Sequence, residues 1–203
     1  KTFYRLVIFY KGAKKEEGVG MKEIADLLFE AKMLKEIPRA GFAFLGAGRE
    51  SVAEHSFAAA FIAYVMTKLE PGVDGLRLIT MCLLHDLPEA RIGDLNYVQK
   101  KYVTADEDRA IADATENLPF GGDVSELLAE FNAQETNAAR LAHDADQLAF
   151  ILDLKSISDV GGQTPEKWLP VVQKRLKTDL GRKIADAVSH RRWDAWWMDA
   201  YSE

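Results

Sequence analysis

From Lys22 onward, apolar residues recur at helical spacing, and no strand-period run of consequence follows residue 20. Ile24, Leu27, Leu28, Ala31 and Leu34 fall at i, i+3, i+4, i+7 and i+10, one stripe on a helix. Pro38 ends that helix, and residues 39–48 read as a Gly-rich loop. Ser51-Val-Ala-Glu54 is a capping box, opening a second helix that runs through Lys68 and stops before Pro71-Gly72. Residues 76–84 are apolar nearly all round, which predicts a central, buried third helix. Thr104-Ala-Asp-Glu107 matches a second capping box, for a helix closing near Pro119 and Gly121-Gly122. About two turns follow at 125–131, then a long helix over 137–159 with Ala138, Leu141, Ala145, Leu148 and Leu152 on one face. A further helix begins near Pro165, and the stretch through Trp197 closes the chain. The expectation is an all-α single domain over 21–203. Residues 1–20 stand apart as an extension, with strand character at 3–10 and a charged, Gly-rich stretch at 11–20.

Composition narrows the functional classes. With 203 residues and 48% hydrophobic content, the chain can bury a substantial core. Lys plus Arg number 26 against 32 for Asp plus Glu, a net charge of −6 with no basic block, so nucleic acid is not an expected partner. The single cysteine, Cys82, rules out an internal disulfide framework and a Cys-rich zinc module, and its place in an apolar run points to packing. No apolar run approaches the ~20 residues of a membrane span, and no signal-peptide layout is present. A soluble, cytoplasmic protein is the expectation.

Chemistry concentrates around the histidines. His85 ends the buried run and Asp86 follows it, where a buried carboxylate is costly without a partner. Glu89 follows closely, placed on a turn by Pro88, and Asp94 comes after Gly93. A His–Asp hydrogen bond closing the helix is the plain alternative. Several acids crowding one histidine with no nearby lysine are explained more economically by a divalent metal. His55 sits in the first turn of the second helix. Far along the chain, Asp144 and Asp146 lie within an otherwise apolar helix, about 200° apart in projection, so only one can face a core site. His143 and His190 are expected to face solvent. Trp193, Trp196, Trp197 and Tyr201 suggest a docking or dimer-interface stripe.

Taken in order, Ser51-Val-Ala-Glu-His-Ser56, Leu83-Leu-His-Asp-Leu-Pro-Glu-Ala90, Gly93-Asp94 and His143-Asp-Ala-Asp-Gln-Leu148 resemble the HD-domain phosphohydrolases. The match is closest to their 5'-deoxynucleotidase branch, which shares the upstream Ile37-Pro-Arg39. The resemblance spans about residues 21–159. It implies a compact HD-domain helical bundle with a metal site in the core, usually a homodimer, acting on nucleoside monophosphates. It places the metal ligands on His55, His85, Asp86 and Asp146, so choosing Asp146 over Asp144. A mixed N/O set of this kind suits one Mn²⁺, Co²⁺, Fe²⁺ or Zn²⁺ ion. It further puts Glu89 beside the attacking water, Asp94 at the sugar and leaving 5'-oxygen, and Arg39 on the phosphate. The residue after the arginine is Ala40 rather than the tryptophan of close bacterial relatives, so Phe42 or Phe44 becomes the substitute at the sugar. Arg49 is either a second phosphate clamp or a solvated loop charge. The rival functions are an HD-type phosphodiesterase on cyclic or linear nucleotides, and a silent nucleotide sensor that keeps its metal.

Overall fold

The computed structural model describes residues 20–201, so the extension and its strand-like segment fall outside the described residues, save Gly20. Those described residues form helices joined by turns, and the backbone pairing outside them is an isolated antiparallel bridge between Pro38 and Ser51. The helices are α1 (Met21–Met33), α2 (Phe42–Leu45), α3 (Val52–Leu69), α4 (Gly75–Leu84), α5 (Glu89–Ile92) and α6 (Glu107–Thr115). After them come α7 (Gly121–Ala133), α8 (Asn137–Asp159), α9 (Pro165–Gln173), α10 (Asp179–His190) and α11 (Ala195–Met198).

Helices α3, α4 and α8 pack on one another and hold the core, with α7, α9 and α10 set against them. Alanines make the close approach possible: Ala59 and Ala63 on α3 and Ala142, Ala145 and Ala149 on α8 are buried with Met66, Leu78, Met81 and Ile151. A smaller cluster of Leu34, Val52, Leu87, Val124 and Leu128 lies under the loops around the site. The Ser51 box forms as expected, its hydroxyl accepting from Glu54 N at 3.2 Å while Glu54 accepts from Ser51 N at 2.7 Å. Such a cap contributes about 1 kcal/mol and fixes where α3 begins.

Four local expectations change. Helix α1 stops at Met33, and of its stripe Leu34 is buried whereas Leu28 and Ala31 are exposed, because the smaller apolar cluster takes in Leu27 and Leu34 but not these two. Helix α4 is central but not covered all round: Leu78, Met81 and Cys82 are buried, while Leu76 and Leu83 face outward. The cap of α6 is Asp106, accepting from Arg109 N at 3.1 Å, rather than Thr104. Asp serves this position as well as Thr, and it lies one residue before the first helical turn. Helix α7 starts at Gly121 instead of after the glycine pair. A Cβ on Gly121 would stand 1.9 Å from the Thr115 carbonyl oxygen, so this glycine lets α6 and α7 meet closely and does not end a helix.

Candidate metal centre and active site

Helix phase brings the histidines inward. On α3 the buried positions Val52, His55, Ser56 and Ala59 follow the i, i+3, i+4, i+7 pattern, which carries a wholly buried imidazole into the core. His85 caps the C-terminus of α4, and its Nδ1–H donates to the Cys82 carbonyl at 2.8 Å. A carbonyl can only accept, so that bond fixes the tautomer and leaves Nε2 with its lone pair. This Nε2 is buried without a hydrogen-bond partner, yet it faces Asp86 Oδ2 at 3.3 Å and Asp146 Oδ1 at 3.9 Å. A lone pair aimed at two carboxylates calls for a cation between them. His55 Nε2 stands 2.9 Å from Asp146 Oδ1 and 3.9 Å from Asp86 Oδ2. Donor atoms of His55, His85 and Asp86 all lie within 4.8 Å of one another. Imidazole plus carboxylate donors with an orphaned ring nitrogen fit a divalent ion.

Burial alone would raise the Asp146 carboxyl, but the hydrogen bond and charge of His55, with His85 and Arg39 beyond, hold it well below the usual carboxylate range. Its second oxygen accepts from Gln147 Nε2 at 2.7 Å. Asp144 points elsewhere. Fully buried, it accepts from Lys177 N at 2.7 Å, Thr178 N at 2.8 Å and Thr178 Oγ1, locking α8 to the start of α10. The helix argument that both aspartates cannot face one site therefore holds. His143 is half-buried, with Nδ1 3.7 Å from Asp144 Oδ1, rather than solvent-facing, because α10 and its leading turn cover that side of α8.

Arg39 is brought in by the Pro38–Ser51 bridge, its N–H donating to the Glu50 carbonyl at 2.9 Å. Its guanidinium reaches Asp86 Oδ2 at 3.3 Å and stands 3.8 Å from Asp94 Oδ2. Burial pulls its pKa down, but the charges of Asp86, Asp94, Asp146 and Glu89 outweigh that and raise it. The chain turns at Gly93 with φ of +75°, a conformation that L side chains rarely adopt, and this carries Asp94 back to accept from Ala40 N at 2.8 Å. Glu89 opens α5, and its Oε2 is buried and unpartnered. Burial first, then the charges of Asp86 and Asp94, push its carboxyl up to about 9.

These groups floor one end of a cleft of about 410 Å³. Phe42, Phe44, Tyr97, Phe150 and Trp168 line the rest, with Lys100 and Arg175 adding positive charge. Sequence reasoning missed the last five of these side chains and Gln147. Phe150 was readable, standing one turn after Asp146 on the same face of α8. Trp168 and Arg175 come from α9 and just beyond it, where no spacing rule points to the cleft. Arg49 is exposed and does not line the cleft, which supports its reading as a solvated charge. Cys82 packs in the core, its thiol pushed up by burial and the charge of Asp146. His190 is exposed at the end of α10, and Trp196 and Tyr201 are exposed beyond it.

This frame and centre fit the class of metal-dependent phosphohydrolases. More particularly, the chain belongs to the HD-domain family: a family model described as HD domain matches residues 31–188. Over 131 residues it is 30% identical to 5'-deoxynucleotidase HDDC2 of Dictyostelium discoideum, covering 59% of this chain and 69% of that one. A conserved hypothetical protein from Pyrococcus furiosus superposes with a TM-score of 0.68 at 30% identity, covering 82% of this chain and 99% of that one. A structure described as a predicted metal-dependent phosphohydrolase from Magnetospirillum magnetotacticum shares the fold, with a TM-score of 0.62 at 24% identity over 83% of this chain and 93% of that one. Among the described residues no helix is long and apolar enough to cross a membrane.

Proposed function

We propose that the protein is a 5'-nucleotidase that hydrolyses nucleoside 5'-monophosphates, deoxy forms above all, to nucleoside and phosphate. The observation that carries this reading is the placing of Arg39, 3.3 Å from Asp86 Oδ2, where the acidic centre meets an aromatic-walled cleft of nucleotide size. The name of the Dictyostelium relative supports it. His55, His85, Asp86 and Asp146 would hold one Mn²⁺, Co²⁺, Fe²⁺ or Zn²⁺ ion. Such an ion supplies Lewis-acid polarisation of a phosphoryl oxygen and a water acidic enough to attack near neutral pH.

The chain's own groups do the rest. Arg39 forks two phosphate oxygens, exchanging its contacts with Asp86 and Asp94 for the substrate. Glu89 orients the attacking water and takes its proton as the water oxygen bonds to phosphorus. The bond from phosphorus to the 5'-oxygen breaks, the proton that Glu89 took from the water passes to that leaving oxygen, and Asp94, held by Ala40 N–H, faces the sugar and assists the transfer. Phe42 and Phe44 stand along the cleft as the apolar wall for the sugar. The working form is a cytoplasmic homodimer, to be checked by light scattering.

Turnover on deoxy- and ribonucleoside 5'-monophosphates and on a cyclic dinucleotide, by metal-free protein refilled with each ion in turn, tests the reading. Monophosphates are expected to be hydrolysed and the cyclic dinucleotide left intact. The reverse pattern would establish a diesterase, and nucleotide binding without turnover a sensor.

A further inference from the structure

Behind His55, on the side away from the metal face, lies a group of polar atoms that the proposed chemistry does not use. The ring is wholly buried, and while Nε2 faces Asp146, Nδ1 has no hydrogen-bond partner. Glu50 Oε2 is buried, 3.8 Å from that Nδ1 and 4.0 Å from Arg39 Nε, and its carboxyl pairs with that of Asp153. Asp153 lies two turns after Asp146 on α8, hence on the same helix face, and its carboxyl sits against that of Glu50. Glu50 immediately precedes the Ser51 cap, and its backbone carbonyl accepts from Arg39 N at 2.9 Å. The elements that place His55 and Arg39 therefore also place Glu50.

The two histidines differ here. His85 spends its Nδ1–H on the neutral Cys82 carbonyl at 2.8 Å, whereas the group facing His55 Nδ1 is a carboxyl. A histidine bound to metal through one nitrogen needs an acceptor for the proton on the other, and a carboxylate there both orients the ring and makes it a stronger donor to the metal. Bringing 3.8 Å to hydrogen-bond length takes a shift of about 1 Å, within the reach of a glutamate side chain.

We propose that Glu50 is a positioning residue, accepting the Nδ1–H of His55 so that Nε2 presents its lone pair to the metal. The proposal rests on His55 being a metal ligand.

The test measures Zn²⁺ affinity by chelator competition in the parental protein and in Glu50→Gln, Glu50→Ala and His55→Ala. Nitrogen-15 NMR of the Zn²⁺-loaded parental protein accompanies it. Glu50→Ala is expected to weaken Zn²⁺ binding about 10- to 100-fold. Glu50→Gln, whose carbonyl still accepts the N–H, should recover part of that loss. The loaded parental protein should show a slowly exchanging proton on His55 Nδ1, and Glu50→Ala should speed its exchange. Parental Zn²⁺ affinity in both Glu50 variants overturns the proposal. So does a loaded parental protein whose His55 Nδ1 carries no proton, a result that requires no variant to fold. If His55→Ala binds Zn²⁺ as the parental protein does, the ligand reading itself fails. If only the Glu50 variants are unaffected, the ligand reading stands and the positioning role falls.

Discussion

Asp144 and Asp146 are the same residue type, two positions apart on one helix, yet the structure turns them to different partners. The three donors on Asp144 come from Lys177 N, Thr178 N and Thr178 Oγ1, and none comes from the metal centre. In Asp144→Asn the amide keeps one oxygen. With that oxygen turned to Thr178, the NH₂ meets Lys177 N–H donor to donor. One buried N–H left unpaired costs about 1–3 kcal/mol, and the remaining bonds each lose roughly 1 kcal/mol of charge assistance. The sum is about 3–5 kcal/mol, which at ~2–4 °C per kcal/mol for a domain of this size lowers Tm by roughly 6–20 °C. Metal content should stay parental. Asp146→Asn should do the converse, stripping bound metal and turnover while shifting the Tm of the metal-free protein less than Asp144→Asn does. Calorimetry of chelated samples and elemental analysis of loaded ones read the two effects separately. Loss of metal from Asp144→Asn with an unchanged Tm would refute the reasoning and reverse the assignment.

Glu89→Gln should keep its metal and lower kcat by ~10²-fold or more, read from steady-state kinetics beside metal analysis. Arg39→Ala should mainly raise KM for the phosphate-bearing substrate, and Arg39→Lys should restore charge without the fork and recover only part of the loss. Chelation should abolish turnover and lower Tm, because the donors come from three separate segments, and adding metal back should reverse both. The metal-free protein should lose stability as pH rises from about 5 through about 9. The folded carboxyls of Glu89, at about 9, and Glu50, at about 8, lie above their unfolded values. Their contribution is thus full below the unfolded pKa and is lost as pH passes the folded one. Glu89→Gln should flatten that slope in a thermal melt series.

Much of the centre was legible because its residues violate local patterns. His55 occupies a position on the inward stripe of α3 where an apolar side chain would pack, and His85-Asp86 ends an apolar run. Both are costly unless something neutralises them. The choice between Asp144 and Asp146 was legible only through resemblance. The partner that claims Asp144 is the turn at Lys177–Thr178, more than 30 residues away, and nothing in α8 itself encodes it. Glu50 was missed because it lies outside any periodic run, although Asp153, at seven residues from Asp146, stood on a readable face. Leu76 and Leu83 show the opposite limit: an apolar helix does not state how many of its sides are covered.

The electrostatics join the fold to the chemistry. Glu50, Asp86, Glu89, Asp94 and Asp146 converge on one guanidinium and two imidazoles. With Arg39 in contact with this set and Lys100 acting on Glu89 from the cleft, the protein can hold the acids either by keeping protons on carboxyls such as Glu89 or by taking up a divalent ion. The first choice disables Glu89 as a proton acceptor, since a protonated carboxyl cannot take the proton of water. The second frees it. A bound ion would therefore do more than hold phosphate: by adding positive charge beside Asp86, it would draw the Glu89 pKa down toward the working range. Assembly of the centre and activation of its base are on this account one event, set by the crowding of acids around one arginine and two imidazoles.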